Sequence, residues 1–256
     1  MNIHYASLNS GSNGNCYYVG SDEEAVLVDA GLSCRDTERR MDSLGLSLQK
    51  VKAIFISHEH TDHIKGVEVL SRKHSIPVYI TPATHKNSRL RVDSNLVRDL
   101  IPQQPVSIGN FTVNPFSKRH DAVDPSSFTI SGHGITIGVM TDIGSACEHM
   151  VRHFRSCHAV FLEANYDELM LETGKYPPRL KVRIRSDHGH LSNRQALQLF
   201  QSFRSPHLSH LVLSHLSQHN NDPQLVNELF SRHAGTVKIT VASRFEPTGL
   251  FSVSAP

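Results

Sequence analysis

Four side chains of metal-ligand type crowd into one short segment of this chain. The sequence HEHTDH at positions 58–63 directly follows an apolar run that is typical of a buried strand. Imidazole nitrogens and carboxylate oxygens are preferred ligands of Zn²⁺ and similar divalent ions. In an extended turn His58 and His60 can face the same way, whereas Asp62 and His63 open the next helix from another side. One ion could not easily take all four ligands, so the segment predicts two neighbouring ions, Zn²⁺ or Mn²⁺, in preference to a solvated polar loop.

The remaining ligands are expected at other strand ends, because ligands in sheet proteins collect where loops leave the carboxyl edge. Three predicted strands are followed by a suitable residue: His120 after 111–117, Asp142 after 135–141 and His215 after 211–214. A carboxylate such as Asp142 can bridge ions roughly 3.5–4 Å apart. His120 and His215 would each complete one ion. Each position alone is weak evidence for a ligand, since the chain has 18 histidines and one can follow a strand by chance. All three positions in order after the segment 58–63 are stronger evidence.

Apolar runs of strand length alternate with helical patterns, without a linker, repeat or low-complexity tract. The predicted strands are 16–19, 25–28, 51–57, 76–81, 111–117, 128–131, 135–140, 159–164, 210–214 and 237–242. The predicted helices are 36–44, 64–73, 145–155, 193–203 and 223–233. Hairpins and βα units occur in both halves, which argues against a (β/α)₈ barrel. We therefore predict an α/β fold of two mixed sheets covered by helices, in one domain spanning residues 1–256.

Composition excludes several classes of protein. The chain has 256 residues, with 26 Lys and Arg against 24 Asp and Glu, so its net charge of +2 does not by itself indicate a nucleic-acid binder. No apolar run approaches the roughly 20 residues of a membrane helix, and the N-terminus lacks the pattern of a secretory signal. The four cysteines form no Cys-x-x-Cys pair and are interpreted as reduced thiols. These observations favour a cytoplasmic protein without a membrane partner.

The motifs together resemble the metallo-β-lactamase superfamily of binuclear metal hydrolases, through nearly the whole chain. Positions 26–31 (VLVDAG) resemble its first motif and 58–63 its second, while His120, Asp142 and His215 resemble the other three. The resemblance implies an αββα four-layer sandwich with the metal site on one rim. It also implies that Asp29 supports the ligand loop from behind, although a simple strand end explains Asp29 equally well from the sequence alone.

A closer resemblance is to the bacterial WalJ/YycJ-type metal-dependent exonucleases of this superfamily. Four separated segments carry it: 10–15 (SGSNGN), 120–125 (HDAVDP), 189–193 (GHLSN) and 213–221 (LSHLSQHNN). His188 departs from the subgroup pattern, and its role stays open. The resemblance implies a phosphodiesterase acting on nucleic acid, with DNA preferred to RNA.

The expected nucleophile is a hydroxide bridging the two ions, which also neutralise charge on a phosphoryl oxygen. His190 is the candidate general acid for the leaving group, because tRNA-processing relatives carry a similar Gly-His-x-Ser/Thr segment. In those relatives a strand Glu holds that His, and Glu163 occupies the matching place. A carboxylate behind an imidazole favours the imidazolium form and fixes its orientation. Asp62 is also predicted to be catalytic. Alternatively, His190 could simply lie beside a helix cap without a chemical role, and Glu163 could form a salt bridge at a strand end.

Substrate phosphates have two candidate sites. The glycine-rich segment Ser12, Asn13, Gly14 and Asn15 could present backbone N–H groups to an anion, although a plain turn is equally compatible. Lys118 and Arg119 flank a predicted ligand, and the basic run 179–185 leads into His190. A charged helix face explains that run nearly as well.

Two other functions remain open at this point. A thioester or other acyl hydrolase could use the same two ions on the same fold. A non-catalytic, metal-stabilised binding or regulatory module would require a damaged ligand set, and all seven predicted ligand positions are intact. The sequence leaves the oligomeric state open, a homodimer included.

Overall fold

The computed structural model describes residues 2–254. The strands are β1 (Asn2–Asn9), β2 (Cys16–Gly20), β3 (Ala25–Val28), β4 (Val51–Phe55), β5 (Val78–Ile80), β6 (Val97–Asp99), β7 (Val106–Ile108), β8 (Phe111–Ser117), β9 (Ser126–Gly132), β10 (Ile135–Met140), β11 (Ala159–Glu163), β12 (His210–Ser214), β13 (Lys238–Val241) and β14 (Phe251–Ser254). The helices are α1 (Cys34–Ser43), α2 (Thr61–Ile64), α3 (Val67–His74), α4 (Pro82–Ser88), α5 (Glu148–Phe154), α6 (Glu168–Thr173), α7 (Pro178–Arg185), α8 (Asn193–Phe203) and α9 (Pro223–Ser231). None of the helices in the described range is long and apolar enough to cross a membrane.

The strands form two mixed seven-stranded sheets. The first has the order β14-β1-β2-β3-β4-β5-β6 and the second β13-β12-β11-β10-β9-β8-β7. Pairing is parallel from β3 to β6 and from β10 to β13, and antiparallel elsewhere. Because the carboxyl ends of parallel neighbours lie at one edge, the loops after β3 and β4 can meet those after β10, β11 and β12.

Three apolar layers hold the fold together. The central layer lies between the sheets, where Phe55 contacts Phe128 with ring centroids 5.8 Å apart and Tyr17 contacts Phe161 at 5.0 Å. Two outer layers lie under helices, one beneath α1 and α3 and the other beneath α5, α8 and α9. Burial of apolar surface on both faces of each sheet gives the αββα sandwich, so the predicted fold class is confirmed.

The predicted helix 64–73 is wrong in one respect, because the chain forms two helices, α2 and α3, that are separated near Gly66. A side chain at Gly66 would place its Cβ 2.0 Å from the Leu32 carbonyl oxygen, and its N–H donates to the Ala30 carbonyl at 2.8 Å. The loop after β3 therefore packs directly on the helix break.

Several elements are absent from the sequence prediction: β1, β6, β7, β14, α4, α6 and α7. Three of these strands span only three or four residues, and β14 alternates half-buried with exposed positions at a sheet edge. Such short or edge segments bury too little apolar surface to leave a clear pattern. Helix α7 carries the basic run 179–185, as the charged-helix interpretation expected.

A buried histidine ties the two sheets together at the amino end of β12. The Tyr5 hydroxyl of the first sheet lies 2.7 Å from His210 Nδ1, and Thr240 Oγ1 lies 2.9 Å from Nε2. The ring packs edge-on against Phe251, with centroids 4.5 Å apart. Burial, with a smaller contribution from the Lys238 charge, lowers the pKa of His210 to about 4.

This pKa predicts a pH-dependent stability. Between the folded value and the ordinary value near 6.5 the unfolded chain binds the proton and the folded chain does not, so stability falls as the pH falls through this window. We expect His210 to contribute a loss of about 2 kcal/mol between pH 7 and pH 5. In His210→Gln, which keeps a polar side chain that does not titrate, that part of the loss should disappear in urea unfolding at the two pH values. His149→Gln, at an exposed position of α5, is the control, and equal losses in wild type and His210→Gln would contradict the assignment.

Candidate metal centre

The predicted ligands converge in two trios between the sheets. His58, His60 and His120 place ligand atoms within 4.8 Å of one another, and Asp62, His63 and His215 do the same. The first trio combines the loop after β4 with the loop after β8, and the second combines α2 with the end of β12. Each trio offers the number of protein ligands that a catalytic divalent ion commonly takes.

Asp142 lies between the two trios. Its Oδ2 is 3.2 Å from His63 Nε2, and its Oδ1 is 3.3 Å from His215 Nδ1 and 3.8 Å from His120 Nε2. This placement at the end of β10 suits a carboxylate that touches both metal positions. All seven residues expected as ligands are therefore brought together.

Strained backbone turns present three of the site residues. Asp29 and His215 directly follow β3 and β12, Asp142 lies two positions after β10, and the three residues have positive φ values of 60°, 56° and 55° in that order. This left-handed conformation costs about 1–3 kcal/mol at a residue other than glycine, and it persists where the surroundings enforce it. The turn ends each strand and directs the side chain toward the space between the sheets.

Asp29 and Ser57 orient the histidines of the loop after β4. The Asp29 carboxylate is 2.7 Å from His63 Nδ1 and accepts from both the backbone N–H and the hydroxyl of Ser57 at 2.8 Å. Ser57 Oγ in turn lies 2.8 Å from His58 Nδ1. Fixing Nδ1 in this way leaves Nε2 of each ring for a metal. Gly31 is required beside them, since a Cβ there would lie 1.7 Å from the Asp62 carbonyl oxygen.

The glycine-rich loop 11–15, predicted to present several backbone N–H groups to a phosphate, directs three of them into the protein. Its amides are used internally: Gly11 N–H donates to Asn15 Oδ1 at 3.0 Å, Gly14 N–H to the Gly11 carbonyl at 2.9 Å, and Asn15 N–H to the Asp62 carbonyl at 2.7 Å. The Asn15 amide also donates to Asp62 Oδ2 at 3.1 Å. Through these hydrogen bonds Asn15 supports Asp62, whereas Ser12 of the same loop faces the site cavity.

Lys118, predicted to contact a substrate phosphate, is directed into the protein. Its ammonium is buried and donates to the Thr141 carbonyl at 2.7 Å, one residue before Asp142. Arg119 lies at the surface, where its guanidinium contacts Ser145 Oγ at 3.3 Å. The two neighbouring cations point to different environments, so they do not act as a pair.

His190 lies beside the second trio, held by Glu163 at the end of β11. Glu163 Oε1 is 2.8 Å from His190 Nδ1 and 2.9 Å from His215 Nδ1. Its Oε2 accepts from the backbone N–H groups of Ile143 and Leu191 at 2.8 and 3.0 Å. These contacts occupy Nδ1 of His190, whose ring is 19% exposed, and leave Nε2 as the nitrogen available to a substrate.

Residues that the sequence interpretation did not select complete the site. Ser10 Oγ accepts from His215 N–H at 2.7 Å, and the Asn165 amide donates to the His215 carbonyl at 2.8 Å. A cavity of about 260 Å³, here called the site cavity, opens on these groups and is bounded by Tyr176 and by Leu180 and Arg183 of α7. Ser10 lies in the segment 10–15 and Arg183 in the basic run 179–185, to which the sequence drew attention without giving either residue this role, whereas Asn165 and Leu180 lie in no motif.

Buried negative charge dominates the electrostatics. Burial opposes protonation of His63, but Asp142 and Asp29 outweigh it and hold the pKa of His63 well above its usual value. The pKa of His215 is also raised, because Asp142, Asp62 and Glu163 outweigh the opposing effect of burial. By contrast, burial lowers the pKa of His58 well below the usual value. The buried carboxylates are therefore stable only beside positive charge, which can come from protonated imidazoles or from bound metal ions.

The donor set fits divalent cations. Within residues 2–254, His120 Nε2, His215 Nε2 and Asp142 Oδ2 are buried without a hydrogen-bond partner, and all three face this cluster. Buried polar atoms are rarely left unpaired, so a ligand is expected there. Imidazole with carboxylate is a combination that binds Zn²⁺ or Mn²⁺.

Comparison with known proteins gives consistent matches. The model of the beta-lactamase superfamily domain matches residues 24–216. Exodeoxyribonuclease YycJ of Bacillus anthracis is 34% identical over 251 residues, which cover 96% of this chain and 94% of that protein. Exodeoxyribonuclease WalJ of Streptococcus pneumoniae serotype 2 is 32% identical over 228 residues, covering 87% and 85%. The metallo-beta-lactamase fold protein YhfI from Bacillus subtilis shares the fold, with a TM-score of 0.75 at 16% identity over 98% of this chain and 99% of that one.

The support of His63 by Asp29 can be tested through metal affinity. In Asp29→Asn the side chain keeps its size but loses its charge behind the imidazole. We expect metal affinity to fall about 10- to 100-fold, measured by competition with a chelator of known affinity. Asp93→Asn, at an exposed position after α4, should bind as the wild type does. An unchanged affinity in Asp29→Asn would show that the contact serves folding alone.

Proposed function

Because this chain belongs to the metallo-β-lactamase superfamily, we propose that it is a DNA exonuclease that cleaves phosphodiester bonds with two divalent ions, Zn²⁺ or Mn²⁺. The superfamily predicted from the motifs is confirmed, and the chain is a metal-dependent hydrolase. The B. anthracis and S. pneumoniae relatives are both named exodeoxyribonucleases, which supports a nucleic-acid substrate and favours DNA over RNA.

The two trios would hold one ion each, and Asp142 would contact both. Bound there, the ions supply a water that loses its proton near neutral pH and neutralise negative charge on the phosphoryl group. The protein fixes the ligands in advance through Asp29, Ser57 and Asn15. Preorganised ligands avoid the cost of ordering them during the reaction.

The contact between His190 and Glu163 beside Asp142 carries the proposal. Glu163 holds Nδ1, so a proton on Nε2 faces the site cavity and can pass to the oxygen that leaves when the P–O bond breaks. An alkoxide leaving group needs that proton, whereas the thiolate released from a thioester does not. The pair therefore favours a phosphodiester over a thioester, which the metals alone would also accept.

The substrate class is tested directly with purified protein and Mn²⁺ or Zn²⁺. End-labelled single- and double-stranded DNA, RNA and a thioester are compared, with circular DNA as the substrate that has no end. We expect linear DNA to be shortened and circular DNA to resist, with the activity abolished in Asp142→Ala and retained in Asp93→Ala. Thioester turnover without nuclease activity would overturn the proposed function.

The role of His190 is tested by its dependence on the leaving group. In His190→Ala we expect kcat on DNA to fall about 10²- to 10⁴-fold, because a general acid contributes in that range. The loss should be small on a p-nitrophenyl ester of thymidine phosphate, whose leaving group departs without a proton. Metal content measured by mass spectrometry should stay at the wild-type value, and His188→Ala, an exposed neighbour, serves as control. Equal losses on both substrates would remove the general-acid assignment.

A further inference from the structure

One cation beside the site cavity has no anionic partner. Arg244 follows β13, and its guanidinium is partly buried, with Nη2 contacting Ser12 Oγ at 3.2 Å. Among residues 2–254, no carboxylate lies within 4.0 Å of it, and Nη1 is inaccessible to solvent without a hydrogen-bond partner. A guanidinium that is partly removed from water without a counter-charge favours an anion, which the described residues do not provide within 4.0 Å.

The position of Arg244 links it to the proposed chemistry. Its partner Ser12 lines the site cavity together with Asp142 and His190. The other cation bounding that cavity, Arg183, is already paired with Asp121. Arg244 is thus a cation beside the site cavity whose charge no carboxylate in residues 2–254 neutralises within 4.0 Å.

The loops around Arg244 hold it rigidly. Asn13 donates its side-chain amide to the Arg244 carbonyl at 2.8 Å, which gives the glycine-rich loop a second bracing role. The buried Arg40 donates to the Phe245 carbonyl at 2.8 Å and to the Leu8 carbonyl at 2.6 Å. The backbone at 244 and 245 is therefore fixed from inside the protein.

An apolar cavity of about 300 Å³ adjoins the site cavity at Leu216 and Ser217. Pro223, Val241 and Phe245 contribute its walls, and Phe245 is 76% exposed. The exposed ring stands at the rim of this cavity, next to the Arg244 backbone, where a planar ligand group could reach its face. Aromatic rings of this kind stack on nucleobases with little dependence on sequence.

We propose that Arg244 and Ser12 bind a phosphate of the substrate strand next to the scissile phosphate, and that the base of that nucleotide lies in the adjoining cavity against Phe245. The guanidinium would offer its charge and the Nη2 hydrogen beside Ser12 to that phosphate, and the serine hydroxyl would add a second donor. This inference rests on the proposed nuclease function and specifies where the strand runs. It assigns no role to Arg244 in bond cleavage.

Binding is measured in a His190→Ala background, which should retain metal without rapid cleavage. Fluorescence anisotropy follows a labelled single-stranded DNA, with and without a terminal phosphate, at several salt concentrations. Adding Arg244→Gln should raise Kd about 10-fold or more, since hydrogen bonds to charged groups are strong. The negative slope of log association constant against log salt concentration should become shallower by about 0.7, the value for one phosphate contact on a single strand. Arg244→Lys should keep that slope, and Arg98→Gln, on the exposed edge strand β6, should change neither quantity.

The two DNAs distinguish the source of the phosphate. If Arg244→Gln weakens binding only of the DNA that carries a terminal phosphate, Arg244 contacts that end group. If it weakens binding of both DNAs equally, Arg244 contacts an internal phosphate. Either result supports the subsite.

Cleavage kinetics separate this subsite from the reacting centre. In the otherwise wild-type chain, Arg244→Gln should raise KM for DNA and leave kcat/KM for bis(p-nitrophenyl) phosphate unchanged, because that small diester has no neighbouring phosphate. In the wild type, an abasic nucleotide at the matching position should raise KM, because the missing base no longer contacts Phe245. In Phe245→Ala, DNA with and without that base should have the same KM. Equal losses on both substrates in Arg244→Gln would overturn the subsite.

The outcomes also separate this inference from the proposed function. If the wild type cleaves DNA while Arg244→Gln binds and cleaves it normally, the subsite is wrong and the nuclease function stands. If DNA binds in an Arg244-dependent way but is never cleaved, the nuclease function is wrong and the subsite stands. If DNA is neither cleaved nor bound through Arg244, both are overturned.

Discussion

Three buried carboxylates at the edge shared by the two sheets impose the central constraint on this structure. Asp29, Asp142 and Glu163 are at most 2% exposed, and anions removed from water are tolerated only with compensating charge or hydrogen bonds. Each therefore contacts imidazole rings, and two of them also accept backbone or hydroxyl hydrogens. The pKa values of His63 and His215 rise for this reason. Positive charge is required here whether protons or metal ions provide it.

That requirement explains why the parallel halves of both sheets face one another. The first sheet supplies Asp29 after β3 and the histidines after β4, while the second supplies Asp142, Glu163 and His215 at the ends of three adjacent strands. Antiparallel neighbours would alternate their carboxyl ends between two edges and separate these groups. The left-handed turns at Asp29, Asp142 and His215 are strained, and the hydrogen bonds of the cluster offset that strain.

The sequence predicted the site residues best where a histidine or carboxylate side chain comes shortly after an apolar strand. The segment 58–63 and the residues His120, Asp142 and His215 could be predicted because burial and position agree at each of them. Lys118 and Arg119 could not be separated in the same way, since adjacency along the chain does not reveal that one side chain is buried and the other exposed. Arg244 approaches Ser12 across 232 positions, through loops that lack any period. Only the three-dimensional packing brings such residues to the site.

The surplus of histidines shows why composition alone locates no site. His153 lies flat on Phe116, with centroids 4.1 Å apart and planes inclined by 7°, so it acts as an aromatic core residue. His210 joins the two sheets through hydrogen bonds at both ring nitrogens, five positions before the predicted ligand His215 on the same strand. The same type of side chain therefore joins the sheets at the amino end of β12 and lies in the predicted metal centre past its carboxyl end. What distinguishes the two is the neighbouring charge: His215 faces Asp142 and Glu163, whereas His210 faces hydroxyl groups and the cationic Lys238. Convergence with other donor side chains in one buried cluster, more than the number of histidines, distinguishes the predicted ligands from the other histidines.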